Sequence, residues 1–301
     1  MTRAEPPFSG VLVALVTPLD DDGRLDERAL EGIVARAVAE GVSGVCPVGS
    51  TGEGPRLPRD VRSRTISLTR AMTEARRPVI AAVIVNDMSQ ARRELEELAA
   101  SGIDASLVSP PSYFPLGAAA VETFFTELAE VSPVPLLIYN IPQLTRVEIS
   151  PAVVGRLAEV PGICGIKDSS RDMEYFTGVL AAVRESPAFG VLTGTDTLLL
   201  PSLLLGGHGT IAASANFAPQ LAISVYEATR EGDLPRAREQ QLRLFRLVQT
   251  CRVGDFPAGW KAALHGLGLC SERLAPPALP LATAQRDQLW TRLRELDFLD
   301  G

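Results

Sequence analysis

Gly10-Val-Leu-Val-Ala-Leu-Val-Thr17 is the stretch of sequence that most directly indicates the fold. It is apolar at almost every position, which is typical of a parallel strand buried on both faces. A helical pattern follows it, with Asp26 as the N-cap and Gly41 as the stop. A second apolar run, residues 42–48, begins directly afterwards. This order of strand, helix and strand predicts a βαβ unit with parallel strands.

The same unit is repeated along the chain. Six further strand-like runs occupy residues 79–85, 103–109, 134–139, 163–167, 190–193 and 210–213, and most are separated by helical patterns. Eight parallel strands within about 215 residues fit a closed barrel better than an open sheet. No Gly-x-Gly-x-x-Gly or P-loop sequence marks a nucleotide-binding fold. The sequence therefore predicts a (β/α)8 TIM barrel, residues 1–228, followed by a C-terminal helical segment, residues 229–301.

Composition argues against several classes of function. The net charge of -7, without a run of lysines and arginines, argues against a nucleic-acid partner. No apolar run is long enough to span a bilayer, and the first eight residues lack the apolar core of a signal peptide. Four cysteines without metal-like spacing and two histidines argue against a metal site. We expect a cytoplasmic protein with reduced cysteines, no metal and no membrane partner.

Lys167 closes the sixth strand-like run, in Gly162-Ile-Cys-Gly-Ile-Lys-Asp-Ser-Ser170. Buried lysines are rare because an ammonium group is costly to dehydrate. At the end of a buried strand, however, a lysine can lose its proton and become an amine nucleophile towards a carbonyl group. The alternative is a surface lysine paired with Asp168, and this segment alone does not decide between the two.

Other polar groups also follow predicted strands, where the active sites of barrels lie. Gly49-Ser50-Thr51-Gly52 can form a turn whose hydroxyl and backbone N–H groups suit a carboxylate. Tyr139 ends the fifth run and offers a phenol that can move protons. Each feature also has a structural explanation, as a glycine turn and as a packed aromatic. Together with Lys167 they describe a site for a 2-oxo acid, in which the lysine attacks the ketone.

Four motifs, in this order, resemble those of the dihydrodipicolinate synthase / N-acetylneuraminate lyase superfamily. They are Gly49-Ser-Thr-Gly-Glu53, Tyr139-Asn-Ile-Pro142, Gly165-Ile-Lys-Asp-Ser169 and Gly206-Gly-His-Gly-Thr-Ile211. The resemblance extends from about residue 8 to the carboxyl terminus. It implies a barrel with a C-terminal helical segment, usually assembled as a homotetramer. It also implies class I aldolase chemistry through a pyruvate Schiff base, with no other cofactor.

The resemblance implies a role for each matching residue. Lys167 matches the Schiff-base lysine, and Tyr139 matches the catalytic phenol. Ser50 and Thr51 match the hydroxyls that bind the pyruvyl carboxylate and relay protons, and Gly49 opens the turn that carries them. The expected catalytic residues are therefore Lys167, Tyr139, Ser50 and Thr51.

Other substrate-binding positions distinguish subfamilies. The backbone carbonyl of Ile211 matches a further contact near the site. Dihydrodipicolinate synthases typically place an arginine five residues after the motif tyrosine, where it receives the carboxylate of the aldehyde. Leu144 occupies that position and cannot replace a bidentate cation, whereas Arg146 lies two residues further on. The pocket is therefore expected to favour an aldehyde without a carboxylate opposite Leu144.

Two further comparisons concern the rim of the site. Asp196 matches an aspartate of the family, but Thr197 and Ala213 stand where neuraminate lyases usually carry an acidic residue and a serine. Sialic acid is therefore not expected as the substrate. Many members insert a tyrosine from a neighbouring subunit, and here Ser112 holds that position with Tyr113 next to it. Either Tyr113 reaches the site, or a hydroxyl or water replaces it, or Tyr113 only packs at a subunit contact.

The sequence thus predicts a pyruvate-dependent class I aldolase. It would cleave or form 2-oxo-3-deoxy acids or 4-hydroxy-2-oxo acids through a pyruvate enamine on Lys167, with pyruvate and an aldehyde as its small-molecule partners. One alternative is a 4-hydroxy-tetrahydrodipicolinate synthase, which condenses pyruvate with aspartate semialdehyde, here through Arg146. The others are a 2-oxo-acid dehydratase with the same imine chemistry and a non-catalytic protein that binds a 2-oxo acid.

Overall fold

The strands form one closed parallel sheet in the computed structural model, which describes residues 6–73 and 76–299. They are β1 (Gly10–Ala14), β2 (Gly44–Cys46), β3 (Ile80–Val83), β4 (Ala105–Val108), β5 (Leu136–Asn140), β6 (Ile163–Asp168), β7 (Gly190–Thr193) and β8 (Gly209–Ala212). Their order is β2-β1-β8-β7-β6-β5-β4-β3. A parallel bridge from Val45 to Val79 joins the two outer strands. The predicted TIM barrel is confirmed, and each predicted run overlaps one of these strands.

Helices on the outside connect the strands. They are α1 (Glu27–Ala39), α2 (Arg59–Thr73), α3 (Met88–Ala100), α4 (Ala118–Val131), α5 (Pro142–Thr145), α6 (Pro151–Leu157), α7 (Met173–Ala182) and α8 (Leu199–Leu204). The start of α1 is set by its N-cap, because the Asp26 side chain accepts a hydrogen bond from the Ala29 N–H at 3.0 Å. Its buried face, Leu30, Ile33 and Val34, is the face that the apolar spacing predicts.

The predicted C-terminal helices are confirmed: within residues 6–73 and 76–299, four α-helices follow the last strand. They are α9 (Pro219–Glu231), α10 (Leu234–Cys251), α11 (Ala258–Gly266) and α12 (Thr283–Glu295). The predicted boundary between residues 228 and 229 falls within α9, and one apolar cluster contains Val13 of β1, Val225 of α9 and Leu264 of α11. The helical segment thus shares a core with the barrel, and its separation as a domain stays a prediction. Among the described residues, no helix is long and apolar enough to cross a membrane.

The inside of the barrel is filled with side chains rather than open. Leu12, Leu107, Leu137 and Leu192 pack there together with the buried Cys46. Such layers of apolar side chains are usual in TIM barrels. Because the interior is closed, polar groups at the carboxyl ends of the strands meet above this core, where a ligand can reach them.

Candidate active site

Lys167 lies near the end of β6, directly beside Tyr139 of β5 in the sheet register. Its side chain is buried, with the residue 6% exposed, and Nζ lies 4.5 Å from the centre of the Tyr139 ring. Asp168 points elsewhere, because it accepts hydrogen bonds from Asn140 Nδ2 at 2.8 Å and Ser170 Oγ at 2.9 Å. Burial raises the pKa of the Asp168 carboxyl. The structure thus contradicts a surface lysine paired with Asp168.

The turn of residues 49–52, which we call the Ser50-Thr51 turn, faces this lysine. Ser50 Oγ lies 3.2 Å from the hydroxyl oxygen of Tyr139, within hydrogen-bond distance. Thr51 is buried beside it and lines the same cavity. A Cβ at Gly52 would lie 2.8 Å from a backbone oxygen, so a larger residue there would displace the turn. Gly49 belongs to the turn but does not line the cavity.

A cavity of about 210 Å³ opens above these groups. The predicted site residues that line it are Ser50, Thr51, Tyr139, Leu144, Lys167, Asp196 and Ile211. Tyr113 does not: it is 78% exposed and packs edge to face against Phe114. Arg146 is also exposed and lies outside the lining, where it follows α5. The structure therefore brings the predicted catalytic residues together around the cavity, whereas Gly49, Tyr113 and Arg146 do not line it.

Asp196 supplies a buried carboxylate on the wall of the cavity. It begins a short 3-10 helix, Asp196–Leu198, after β7. Its Oδ2 accepts a hydrogen bond from the Ser214 N–H at 2.9 Å. Burial raises the pKa of Asp196, while the positive charges of Lys167 and Arg252 act in the opposite direction. Asp196 is thus held in place and within electrostatic range of the lysine.

Comparison with known proteins identifies the family. The family model described as the dihydrodipicolinate synthetase family matches residues 7–296. The chain belongs to this family. It is an enzyme of the lyase class, a pyruvate-dependent class I aldolase, as the sequence predicted. Enzymes of the family use a lysine Schiff base with pyruvate and no metal cofactor.

Individual members of the family align along almost the whole chain. The 4-hydroxy-tetrahydrodipicolinate synthase of Acidiphilium cryptum is 37% identical, over 97% of this chain and 99% of that protein. YagE of E. coli K12, a prophage protein of the family solved with pyruvate, is 30% identical over 97% and 99% of the two chains, with a TM-score of 0.92. A monomeric dihydrodipicolinate synthase variant is 26% identical over 97% and 98%, with a TM-score of 0.94.

Gly194 is a site residue that the sequence reasoning missed. It follows β7 and lines the cavity. A Cβ at this position would lie 2.7 Å from Cε of Lys167 and 2.0 Å from Oγ of Ser169. The glycine therefore leaves the space that the lysine side chain occupies. The Thr193-Gly-Thr-Asp196 sequence after a predicted strand contained this signal, although spacing alone does not show the close approach.

The sequence reasoning also missed the contribution of the C-terminal helices to the site. Val248 of α10, Arg252 after it, and Trp260 of α11 line the cavity together with Phe256 and with Arg171 of the loop after β6. No motif marks these residues, because their helices pack over the barrel mouth from a distant part of the chain. The C-terminal helices therefore contribute part of the cavity wall.

A buried ion pair connects Glu53, which directly follows the Ser50-Thr51 turn, to α11. Nζ of Lys261 lies 2.6 Å from Oε1 of Glu53, and both side chains are fully buried. Oε2 of Glu53 accepts a hydrogen bond from the Ala275 N–H at 2.8 Å, while Nζ of Lys261 donates to the Arg273 carbonyl at 2.6 Å. Lys167 and Lys261 are the two lysines of the sequence. One is held in an ion pair, and the other faces the cavity.

Proposed function

We propose that the enzyme binds pyruvate, or a 2-oxo acid that yields pyruvate, as an imine on Lys167. The observation that carries this proposal is the buried Lys167 amine beside the Tyr139 phenol, which is within hydrogen-bond distance of Ser50. A nucleophile next to an acid–base group is the arrangement that covalent catalysis requires. The family membership supports the same chemistry.

Each step has a residue in reach. The unprotonated Nζ of Lys167 attacks C2 of the substrate, and the ketone oxygen leaves as water to give a protonated imine. In the cleavage direction, Tyr139 takes the proton of the C4 hydroxyl and passes it on through Ser50. The C3–C4 bond then breaks, its electrons form the enamine, and the aldehyde leaves. Protonation at C3 and hydrolysis of the imine release pyruvate and restore Lys167.

The carboxylate of the 2-oxo acid is assigned to the Ser50-Thr51 turn. The turn offers two hydroxyls within the same cavity as Lys167, and backbone N–H groups in such turns suit anions. The backbone carbonyl of Ile211, on the neighbouring wall, is assigned a polar contact with the bound acid. No metal is assigned a role in this scheme, because the imine supplies the electron sink for the carbon–carbon bond.

The substrates are proposed to be 4-hydroxy-2-oxo acids or 2-oxo-3-deoxy acids, which split into pyruvate and an aldehyde. The second candidate is 4-hydroxy-tetrahydrodipicolinate synthase, because the curated relatives carry that name at up to 37% identity. The route predicted for it through Arg146 finds no support, since Arg146 lies outside the cavity lining. An assay with pyruvate and aspartate semialdehyde, run beside cleavage of 2-oxo-3-deoxygluconate, separates the two candidates.

A cytoplasmic homotetramer remains part of the proposal. Tyr113 and Phe114 are 78% and 74% exposed and lie side by side. Adjacent exposed aromatics often mark a surface that another chain covers. Sedimentation of the purified protein tests the tetramer, and a monomer at micromolar concentration would contradict it.

The decisive experiment is reduction of the imine. The protein is incubated with pyruvate and borohydride, and the adduct is located by peptide mass spectrometry. Because the sequence contains two lysines, the assignment is direct. We expect the reduced pyruvyl group on Lys167, its loss in Lys167→Ala, and an unmodified Lys261 as the internal control. An adduct that persists in a folded Lys167→Ala variant would refute the assignment.

A further inference from the structure

The cavity carries an excess of positive charge. Its ionic side chains are Lys167, Arg171 and Arg252, opposed by Asp196. Three cations against one carboxylate stand out in a chain whose net charge is -7. The carboxylate of a 2-oxo acid at the Ser50-Thr51 turn neutralises one of these charges. One positive charge then remains without a negative counterpart among the groups that line the cavity.

The side chains of the two arginines make no direct polar contact with a side chain or carbonyl in the described part of the chain, although the charge of Arg252 acts on Asp196. Among residues 6–73 and 76–299, neither Arg171 nor Arg252 forms an ion pair or donates a side-chain hydrogen bond. Other arginines of the chain are paired: Arg64 donates two hydrogen bonds to the Glu27 carboxylate, at 2.7 and 2.8 Å. Both guanidinium groups are exposed at the cavity, so their donors face solvent and are accessible to a ligand.

The backbone holds Arg171 in an unusual conformation. Its φ is +67°, in the left-handed region that favours glycine, so an arginine there costs free energy. The side chain of Gln143 braces the loop just before it, because Nε2 donates to the carbonyls of Ser169 at 3.1 Å and Ser170 at 2.7 Å. The loop is thus held so that the Arg171 side chain lines the cavity.

Arg252 approaches the cavity from the C-terminal segment. Burial lowers the pKa of its guanidinium, the positive charge of Arg171 acts in the same direction, and the Asp196 carboxylate acts in the opposite one. The two groups are therefore within electrostatic range of each other, with apolar walls beside them from Val248, Phe256 and Trp260. Both side chains are exposed, so water screens their mutual repulsion, and an anion bound between the two guanidinium groups removes the repulsion that remains.

We propose that Arg171 and Arg252 together bind a second anionic group, a carboxylate or a phosphate, at the end of the substrate remote from the 2-oxo acid. The inference rests on the proposed function, because it takes Lys167 and the Ser50-Thr51 turn as the site of the ketone and the first carboxylate. A cavity of about 210 Å³ is below the roughly 300 Å³ at which pockets for drug-sized ligands begin. The substrate class is thus a short dianionic 2-oxo acid, and the aldehyde it releases is itself anionic.

The two arginines change one expectation from the sequence. Leu144 stands where related synthases carry an arginine, and the sequence therefore favoured an aldehyde without a carboxylate opposite that residue. The two arginines restore positive charge from other elements, the loop after β6 and the end of α10. An anionic aldehyde is received on that side of the cavity instead.

Competition between three 2-oxo acids of matched length tests the proposal without requiring turnover. 2-Oxopentanoate ends in a methyl group, 2-oxoglutarate in a carboxylate and 2-oxo-4-phosphonobutanoate in a phosphonate. The full protein is incubated with an equimolar mixture of the three acids and with borohydride. The three reduced adducts are then quantified by mass spectrometry. We expect an anionic acid to exceed 2-oxopentanoate roughly tenfold or more, because a hydrogen bond to a charged group is lost with the methyl end. The larger of the two anionic adducts distinguishes carboxylate from phosphate.

Variants assign the preference to its residues. Arg171→Gly suits the left-handed backbone and removes only the side chain, and Arg252→Gln keeps the polarity without the charge. Each variant is expected to bring the ratio of the anionic adduct to the 2-oxopentanoate adduct close to one, while the pyruvate adduct on Lys167 still forms. Arg146→Gly is the matched variant, since Arg146 also has a left-handed φ of +55° but lies outside the cavity lining. It is expected to retain the wild-type ratio.

The outcomes separate the two proposals. A ratio near one in the wild-type protein, or a ratio that falls in Arg146→Gly and not in Arg171→Gly, would overturn the anion site. So would the absence of any anionic adduct from protein that forms the pyruvate adduct. Failure of pyruvate itself to react would instead overturn the imine on Lys167.

Discussion

The buried pair of Glu53 and Lys261 gives the most quantitative prediction. Both side chains are fully buried, the charged atoms are 2.6 Å apart, and each partner makes one further hydrogen bond to the backbone. Lys261→Met keeps much of the volume but removes the cation in direct contact with the buried Glu53 carboxylate, leaving only Arg56, whose Nη1 lies 4.0 Å from Oε2. Breaking a buried ion pair in this way costs about 3–5 kcal/mol, a large part of the roughly 5–15 kcal/mol by which a domain is stable.

The assay is thermal unfolding followed by circular dichroism at pH 7. At roughly 2–4 °C per kcal/mol, the loss corresponds to a fall in Tm of about 6–20 °C. Glu53→Gln/Lys261→Met, which removes both charges, is expected to recover part of the loss. Arg64→Gln, which breaks an exposed pair with Glu27, is the control and should change Tm far less.

One result would refute the reasoning about this pair. If Lys261→Met unfolds within about 1 °C of the wild type, the pair does not hold the turn against α11 with the energy that its burial implies. A double variant less stable than either single variant would be equally incompatible, because it would mean that no uncompensated charge was left by the single changes.

Two further predictions concern Lys167 and the barrel wall. In Gly194→Ala the new Cβ would lie 2.7 Å from Cε of Lys167, and we expect the rate of pyruvate trapping to fall about a hundredfold in folded protein; an unchanged rate would exclude the steric role. Burial lowers the pKa of His208 from 6.5, and its Nδ1 accepts a hydrogen bond from the Val191 N–H at 3.0 Å. The stability that the neutral His208 contributes is therefore complete above pH 6.5 and is lost as the pH falls, because the unfolded chain binds the proton at a higher pH than the folded protein does. We expect the Tm of His208→Gln to fall less than that of the wild type between pH 7 and pH 5.

The strands and the mouth of the barrel could be predicted because both leave local signals. A strand buried on both faces, such as β1, is apolar at successive positions, and a polar residue at its end, such as Lys167, interrupts that run. In a parallel barrel all such ends meet on one side. The juxtaposition of Lys167, Tyr139 and Ser50 therefore follows from three short segments and a single topological rule.

Arg252 and Lys261 could not be placed in the same way. Each is in or beside an amphipathic helix, and the apolar spacing of a helix shows which face is buried but not what that face meets. The partner of Lys261 is Glu53, more than 200 positions earlier in the chain. Contacts of this kind depend on how the helical segment packs on the barrel, which no local pattern in either segment records.

The two lysines show how burial alone fails to make a nucleophile. Lys261 is buried more deeply than Lys167, and burial lowers its pKa, but the contact with the Glu53 carboxylate favours its charged form. Its Nζ also donates a hydrogen bond to the Arg273 carbonyl. In the described part of the chain, no ion pair includes Lys167, whose close neighbour is the face of Tyr139. An amine reacts with a ketone only when its lone pair is free. We therefore expect pyruvate to react with Lys167 and not with Lys261, although both amines are buried, because Lys261 is paired with Glu53 whereas Lys167 faces a cavity.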